Sequence, residues 1–124
     1  MCGIVGLINF SGKPVDAEAL RDASQMLRLR GPDDSGVWAQ GSVGFAHRRL
    51  SIIDLSDAGR QPMVDRSGRY VCVFNGEIYN FREIRQQLQA DGVQFSSQSD
   101  TEILLESLVL LVMGIKNRLG LKKF

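Results

Sequence analysis

The chain has 124 residues, enough for one domain with a modest hydrophobic core. Its 44% hydrophobic and 23% charged residues are typical of a globular protein, and a net charge of +1 excludes a chain-wide basic surface for nucleic acid. The charge is uneven, because residues 114–124 carry four basic side chains and no acid while the rest of the chain has a net charge of −3. We therefore expect the C-terminal segment to differ in character from the body.

The first half of the chain predicts a strand, a helix and a hairpin. Residues 3–10 form an apolar stretch typical of a buried strand. Residues 15–30 repeat apolar side chains at helical spacing, and Gly31 is placed to end that helix. Residues 37–39 and 43–46 flank a Gln-Gly-Ser turn, which predicts a β-hairpin.

The second half predicts another hairpin, a short strand and two helices. Residues 63–64 and 69–74 flank Ser-Gly and form the hairpin, and residues 93–96 form the strand. Strands and hairpins followed by mixed helix and strand indicate an α+β layered domain.

Both helices of the second half begin with a capping-box pattern. Asn80 and Glu83 match it ahead of a helix over residues 81–90. Ser99 and Glu102 match it again and predict a helix from residue 101.

The last helix is unusually apolar. In residues 103–115, ten of thirteen side chains are large and apolar, and only Glu106 is charged. We expect a buried core helix first, an apolar segment without a partner second and a membrane-surface helix third. Thirteen residues are too few to span a bilayer, which needs about 20. This stretch is also the predicted site of any self-association.

Cysteine usage predicts a cytoplasmic chain. Cys2 and Cys72 are the only cysteines, and no basic start with an apolar region and cleavage site precedes them. A single histidine and no metal-ligand spacing argue against a structural metal site.

Cys2 directly follows the initiator methionine. Removal of Met1 would leave a residue that carries both a thiol and a free α-amine, which is partly neutral near pH 7 and can take the thiol proton. The plainer alternative is a small apolar residue buried at the start of a strand. A redox or metal-binding thiol is a weaker third reading.

Asn75 and Gly76 follow a predicted strand. The side-chain amide and the unobstructed backbone N–H could donate to one developing oxyanion. The alternative is an ordinary Asn-Gly turn.

Two further charged residues are candidates for binding a small ligand. Arg49 precedes a short apolar stretch and could grip a carboxylate; the alternative is a solvated surface arginine. Asp100 lies at a predicted helix start, where capping alone would explain it.

Five motifs in this order together resemble one family. The chain is similar to the class II glutamine amidotransferase domain of glutamine-hydrolysing asparagine synthetases over about residues 1–105. The motifs are MCGIVG, LRLRGPDDSG, HRRLSIIDLSDAGRQPM, VFNGEIYNFREIR and SDTE. The resemblance implies the four-layer αββα fold of the N-terminal nucleophile hydrolases, which we expect to be incomplete here. It also implies a truncated domain at residues 1–106 and a divergent apolar and basic tail at residues 107–124.

The resemblance implies a role for each candidate. Cys2 would form a glutamyl thioester with the side-chain amide of glutamine, with its own α-amine as base, and Asn75 and the Gly76 N–H would form the oxyanion hole. The implied glutamine-binding residues are Arg49 for the α-carboxylate, Glu77 and Asp100 for the α-ammonium, and Leu50 and Ile52 for backbone contacts.

The resemblance also implies partners. This domain is expected to need no cofactor, whereas the family's synthetase domain uses ATP and Mg²⁺ to direct the ammonia to aspartate. The alternatives are an amidotransferase of a polysaccharide or antibiotic pathway, and a non-catalytic remnant or interaction module.

Overall fold

A computed structural model describes residues 1–52 and 54–118, and for residues 115–118 it describes the backbone only. Within the described residues the chain forms five strands, three α-helices and a short 3-10 helix at Asp57–Gly59. The strands are β1 (Gly3–Ile8), β2 (Asp34–Gln40), β3 (Val43–Arg49), β4 (Met63–Val64) and β5 (Val71–Cys72). The helices are α1 (Ala17–Gln25), α2 (Phe81–Ala90) and α3 (Asp100–Arg118).

The larger sheet is antiparallel, with β3 at its centre in the order β1-β3-β2. The predicted strand and first hairpin are confirmed, although β2 and β3 are both longer than expected. In the register, Gly3 pairs with Arg48 and Ile8 with Val43, so the start of β1 lies beside the end of β3. This pairing brings the N-terminus to the Arg49 end of the central strand.

Helix α1 covers one face of this sheet through the fully buried Leu20. Asp16 caps the helix by accepting from the Glu18 N–H at 2.8 Å. The helix ends at Gln25, earlier than the predicted residue 30. The backbone continues in turns instead, since the Arg28 N–H donates to the carbonyl oxygen of Gln25 at 3.0 Å.

In the part of the chain that the structure describes, the smaller sheet pairs only β4 with β5. The predicted hairpin is therefore present but short, because pairing stops at Cys72 rather than Phe74. The strand predicted at residues 93–96 is wrong. The Ser96 N–H donates to the Glu102 carboxylate at 2.9 Å, so this backbone group is satisfied by a side chain and not by a ladder.

The two predicted capping boxes do not form as expected. The Asn80 side chain makes no cap hydrogen bond at α2, whose limits otherwise match the prediction. At α3, Ser99 Oγ accepts from the Thr101 N–H at 3.1 Å, as a cap should. Glu102 does not complete the box, because its carboxylate holds Ser96 and its neighbour in the preceding loop.

Helix α3 is a core helix only at its beginning. Ile103 is fully buried, whereas Leu111 is 60% exposed. The helix runs without a break through the predicted domain boundary at residues 106–107, and that boundary stays a prediction. The last part of the predicted tail, residues 119–124, lies outside the described residues. Among those that are described, no helix is long and apolar enough to cross a membrane.

The α+β class is confirmed: a three-stranded sheet with a helix on it precedes a small ladder and two further helices. The four-layer arrangement stays a prediction.

Candidate active site

One open pocket of about 230 Å³ brings together all eight residues predicted for the site. They come from the start of β1, the end of β3, the loop after β5 and the first turn of α3. They are Cys2, Arg49, Leu50, Ile52, Asn75, Gly76, Glu77 and Asp100. Their assigned roles stay predictions, but their meeting in one cavity is a property of the fold.

The Cys2 sulfur lies against the backbone that follows β3. The Leu50 N–H donates to Cys2 Sγ at 3.3 Å, and the Leu50 carbonyl oxygen lies 3.7 Å from the same sulfur. Cys2 is partly exposed, so it is not the fully buried apolar residue of the alternative reading. Met1 also lines the pocket and is 75% exposed.

The Arg49 side chain is buried, with 8% exposure, so the alternative of a solvated surface arginine is wrong. Its guanidinium donates to the carbonyl oxygen of Ser56 at 2.9 Å and to that of Asp54. These bonds hold the side chain in place while further guanidinium N–H groups remain for a ligand, because arginine has five.

The Asn75–Gly76 segment is not a left-handed turn. The φ angle of Gly76 is not positive. A Cβ atom at Gly76 would lie 2.7 Å from the ring of Phe74, so close packing explains the glycine. Within the described residues, neither the Asn75 side-chain amide nor the Gly76 N–H donates to a protein acceptor. Both donors are therefore available to a ligand in the pocket.

The two acidic residues differ in environment. Glu77 is exposed, whereas Asp100 is buried and accepts a hydrogen bond from the Ile78 N–H at 3.1 Å. Because Ser99 caps α3, the carboxylate of Asp100 is not occupied by capping and instead ties the loop after Asn75 to the helix.

Leu50 and Ile52 form the remaining wall. The backbone groups of Leu50 face the Cys2 sulfur, so the predicted contact of Leu50 with glutamine would have to share them. Ile52 is 65% exposed, and its side chain borders the pocket.

Sequence reasoning missed two supporting residues, Asp54 and Gln61. The Asp54 carboxylate accepts from the Ser56 N–H at 2.8 Å and from the Gln98 N–H at 2.7 Å. The Ser56 hydrogen bonds, with the Gln98 bond and the Arg49 charge, outweigh burial and hold the Asp54 pKa below its usual value. The Asp-Leu-Ser spacing is a recognisable side-chain turn and could have revealed Asp54. A polar residue before proline gives no comparable signal for Gln61.

His47 was also missed. It is almost fully buried, and its Nε2 lies 3.3 Å from the carbonyl oxygen of Phe74. A carbonyl only accepts, so Nε2 carries the proton, and Nδ1 has no partner among the described residues. Burial, helped by the Arg49 charge, lowers the His47 pKa despite the Phe74 hydrogen bond. The described residues contain no cluster of three His, Cys, Asp or Glu side chains that could hold a metal ion.

Comparison with known proteins identifies the family of the chain. A family model described as a glutamine amidotransferase domain matches residues 1–119. Asparagine synthetase [glutamine-hydrolyzing] 3 of Bacillus subtilis is 42% identical over 88% of this chain and 18% of its own length. Asparagine synthetase [glutamine-hydrolyzing] 1 of the same organism is 44% identical over 85% of this chain and 17% of its own length.

A third relative, asparagine synthetase B [glutamine-hydrolyzing] of Escherichia coli, is 39% identical over 85% of this chain and 19% of its own length. The chain therefore spans about a fifth of the curated relatives it matches. On the match to residues 1–119, the chain belongs to the glutamine amidotransferase domain family.

Proposed function

We propose that this chain is the glutaminase part of a glutamine-hydrolysing asparagine synthetase. Cys2 Sγ attacks the side-chain amide carbon of glutamine, the C–N bond breaks, and ammonia leaves with the proton taken from the thiol. Water then cleaves the glutamyl thioester, which gives glutamate and restores the thiol. The observation that carries this proposal is the presence of Cys2 and the available Asn75 and Gly76 donors in one pocket.

The α-amine of Cys2 would act as the base. It becomes available only when Met1 is removed, because Met1 otherwise holds that nitrogen in a peptide bond. The position of Met1 on the rim of the pocket supports this requirement, since its removal would also open the cavity next to the sulfur.

The charges of the pocket suit a free amino acid. The buried Arg49 would hold the α-carboxylate, and Glu77 and Asp100 would face the α-ammonium. Leu50 and Ile52 would flank the ligand on the side of the sulfur. Arg49 and three carboxylates line the cavity: Glu77, Asp100 and Asp54, whose oxygens already accept from the Ser56 and Gln98 N–H groups. A cation beside these carboxylates favours a zwitterionic ligand over a peptide.

The destination of the ammonia is proposed from the relatives. Their printed names point to asparagine synthesis, so we assign the ammonia to aspartate in a separate synthetase domain that uses ATP and Mg²⁺. Another acceptor in a polysaccharide or antibiotic pathway would use the same first half-reaction. We place the reaction in the cytoplasm, which is consistent with the free thiols of Cys2 and Cys72.

Cys2→Ala tests this proposal, with Cys72→Ala as the matched control. Burial raises the pKa of the Cys72 thiol, so that cysteine should be a poor nucleophile. In the chain lacking Met1, we expect glutamate release from glutamine to be lost with Cys2→Ala and unchanged with Cys72→Ala. Glutamate release that survives Cys2→Ala, or that is equal in protein retaining Met1 by intact mass, overturns the proposal.

The exposed end of α3 favours a second candidate, an interaction module. Leu108, Leu110 and Leu111 are between 40% and 60% exposed and follow one another along the helix. If they mediate self-association, light scattering should show oligomers of the unaltered chain and monomers of Leu108→Lys/Leu111→Lys. A monomeric unaltered chain would contradict this candidate.

A further inference from the structure

The backbone leaves the small sheet just before the Asn75–Gly76 segment. Strand β5 ends at Cys72, so Phe74 has no ladder partner. Phe74 is partly buried, and peptide groups withdrawn from water without partners are costly, so its two backbone polar groups need partners elsewhere.

Two buried side chains take over both groups. Gln61 Oε1 accepts from the Phe74 N–H at 2.6 Å, and His47 Nε2 donates to the Phe74 carbonyl oxygen at 3.3 Å. Gln61 comes from the loop before β4, and His47 comes from β3. Side chains from two separate parts of the chain therefore hydrogen-bond to the backbone of Phe74.

The orientation of the Gln61 amide is determined by a third residue. Gln61 Nε2 donates to Thr101 Oγ1 at 3.0 Å, which leaves Oε1 to face the Phe74 N–H. Both side chains of this pair are buried. The amide thus connects the residue before Asn75 to the first turn of α3.

The other end of the loop is tied to the same turn. The Ile78 N–H donates to Asp100, the neighbour of Thr101. The loop of residues 75–77 is consequently held at both ends from the first turn of α3. Thr101 holds one end through Gln61, and Asp100 holds the other end directly.

We propose that Gln61, together with His47, is a positioning residue that sets the place of the oxyanion donors by clamping the peptide groups of Phe74. The inference rests on the proposed glutaminase function. Donors must lie about 2.7–3.1 Å from the developing oxyanion. A displacement of about 1 Å costs up to about a hundredfold in rate.

Gln61→Met tests the clamp, because methionine has a similar shape but lacks the amide oxygen and the NH₂ group and offers only a weakly accepting sulfur. In the full chain lacking Met1, we expect kcat to fall about tenfold to a hundredfold while the KM for glutamine changes less than about twofold. Amide exchange followed by NMR should be faster at Phe74. Gln86→Met, on the exposed side of α2, is the control and should change neither quantity.

Two milder sets of variants keep the test decisive if Gln61→Met does not fold. Thr101→Val removes only the partner that orients Gln61, so the loss in kcat and the gain in Phe74 exchange should be smaller but in the same direction. His47→Leu removes the donor to the Phe74 carbonyl oxygen and should lower kcat. His47→Gln keeps a donor near the position of Nε2, so its kcat should stay close to that of the unaltered chain.

Unchanged kcat and Phe74 exchange in Gln61→Met, or in Thr101→Val should Gln61→Met not fold, would overturn the clamp. The clamp would also be overturned if a variant lost activity only in proportion to the fraction of its molecules that is unfolded. A failure of the proposed function is distinguishable, because the unaltered chain would then release no glutamate whatever the exchange rate at Phe74.

Discussion

The two walls of the pocket are held in different ways. The wall that carries Cys2 and Arg49 is made at the ends of β1 and β3, whose register is fixed by six residue pairs. The wall that carries Asn75 and Gly76 is an irregular loop held by side-chain hydrogen bonds from Gln61, His47 and Asp100. Apart from Cys2 and Arg49 themselves, a substitution in the sheet wall should therefore change stability, whereas one in the loop wall should change catalysis.

After the loss of Cys2 itself, Asn75→Ala should have the largest effect on catalysis. Loss of one oxyanion donor lowers kcat about 10²–10³-fold. Asn75 is exposed and makes no protein hydrogen bond within the described residues, so thermal stability should hardly change. Steady-state kinetics and a melting curve measure both quantities. Asn80→Ala is the control, because the Asn80 side chain makes no cap bond. A fall in stability without a fall in kcat would contradict the catalytic role assigned to the loop wall.

Glu102→Gln should have the largest effect on stability. The carboxylate accepts from the N–H and hydroxyl groups of Ser96 and Ser97, and these bonds outweigh burial to hold the Glu102 pKa below its usual value. Glutamine would present an NH₂ group to some of these donors, at a cost of about 2 kcal/mol. Urea unfolding measures this, with Glu83→Gln as the control on an exposed face. Equal midpoints for the two variants would contradict it.

Gly44→Ala should lower the stability of the sheet that carries Cys2 and Arg49. A Cβ atom there would lie 2.9 Å from the Val15 side chain and also meet Leu20. Overpacking of this kind costs about 1–3 kcal/mol. We expect a lower unfolding midpoint with kcat per folded molecule unchanged. A kcat loss greater than about threefold in the folded fraction would mean that the sheet packing also tunes catalysis.

The smallest effect concerns pH. Burial and the Arg49 charge lower the His47 pKa in the folded state, against the opposing effects of the Phe74 hydrogen bond and the Asp34 charge. The unfolded chain therefore binds the proton first. The His47 contribution is present above the unfolded pKa of about 6.5 and is lost as pH falls below it toward the folded pKa. His47→Gln should flatten the stability profile between about pH 7 and pH 5. The lowered Asp54 and Glu102 carboxylate pKa values affect stability only at lower pH. An unchanged slope would show that His47 does not titrate on unfolding.

Local patterns predicted most of the regular elements. Apolar runs and a Gly-containing turn identified β1 and the first hairpin, and α2 begins and ends where its spacing indicates. The failures came where side chains competed with backbone pairing. Glu102 takes the N–H groups that a strand at residues 93–96 would have used, and no local pattern reveals an acceptor six residues away.

The candidate site was recognisable because five motifs occur together in family order. All eight of its predicted residues line one cavity, although they come from four separate parts of the chain. The supporting residues Gln61 and His47 were not predictable, since their importance depends on which backbone groups lie opposite them.

The sequence by itself determined the chemical groups: a thiol next to the terminal methionine, two amide donors, one arginine and two carboxylates. Only the tertiary structure decided that β1 and β3 bring the thiol to Leu50, and that buried side chains hold the Asn75–Gly76 loop opposite it. The physical reason is that side-chain type is encoded locally, whereas a hydrogen bond between distant residues exists only after the chain has packed.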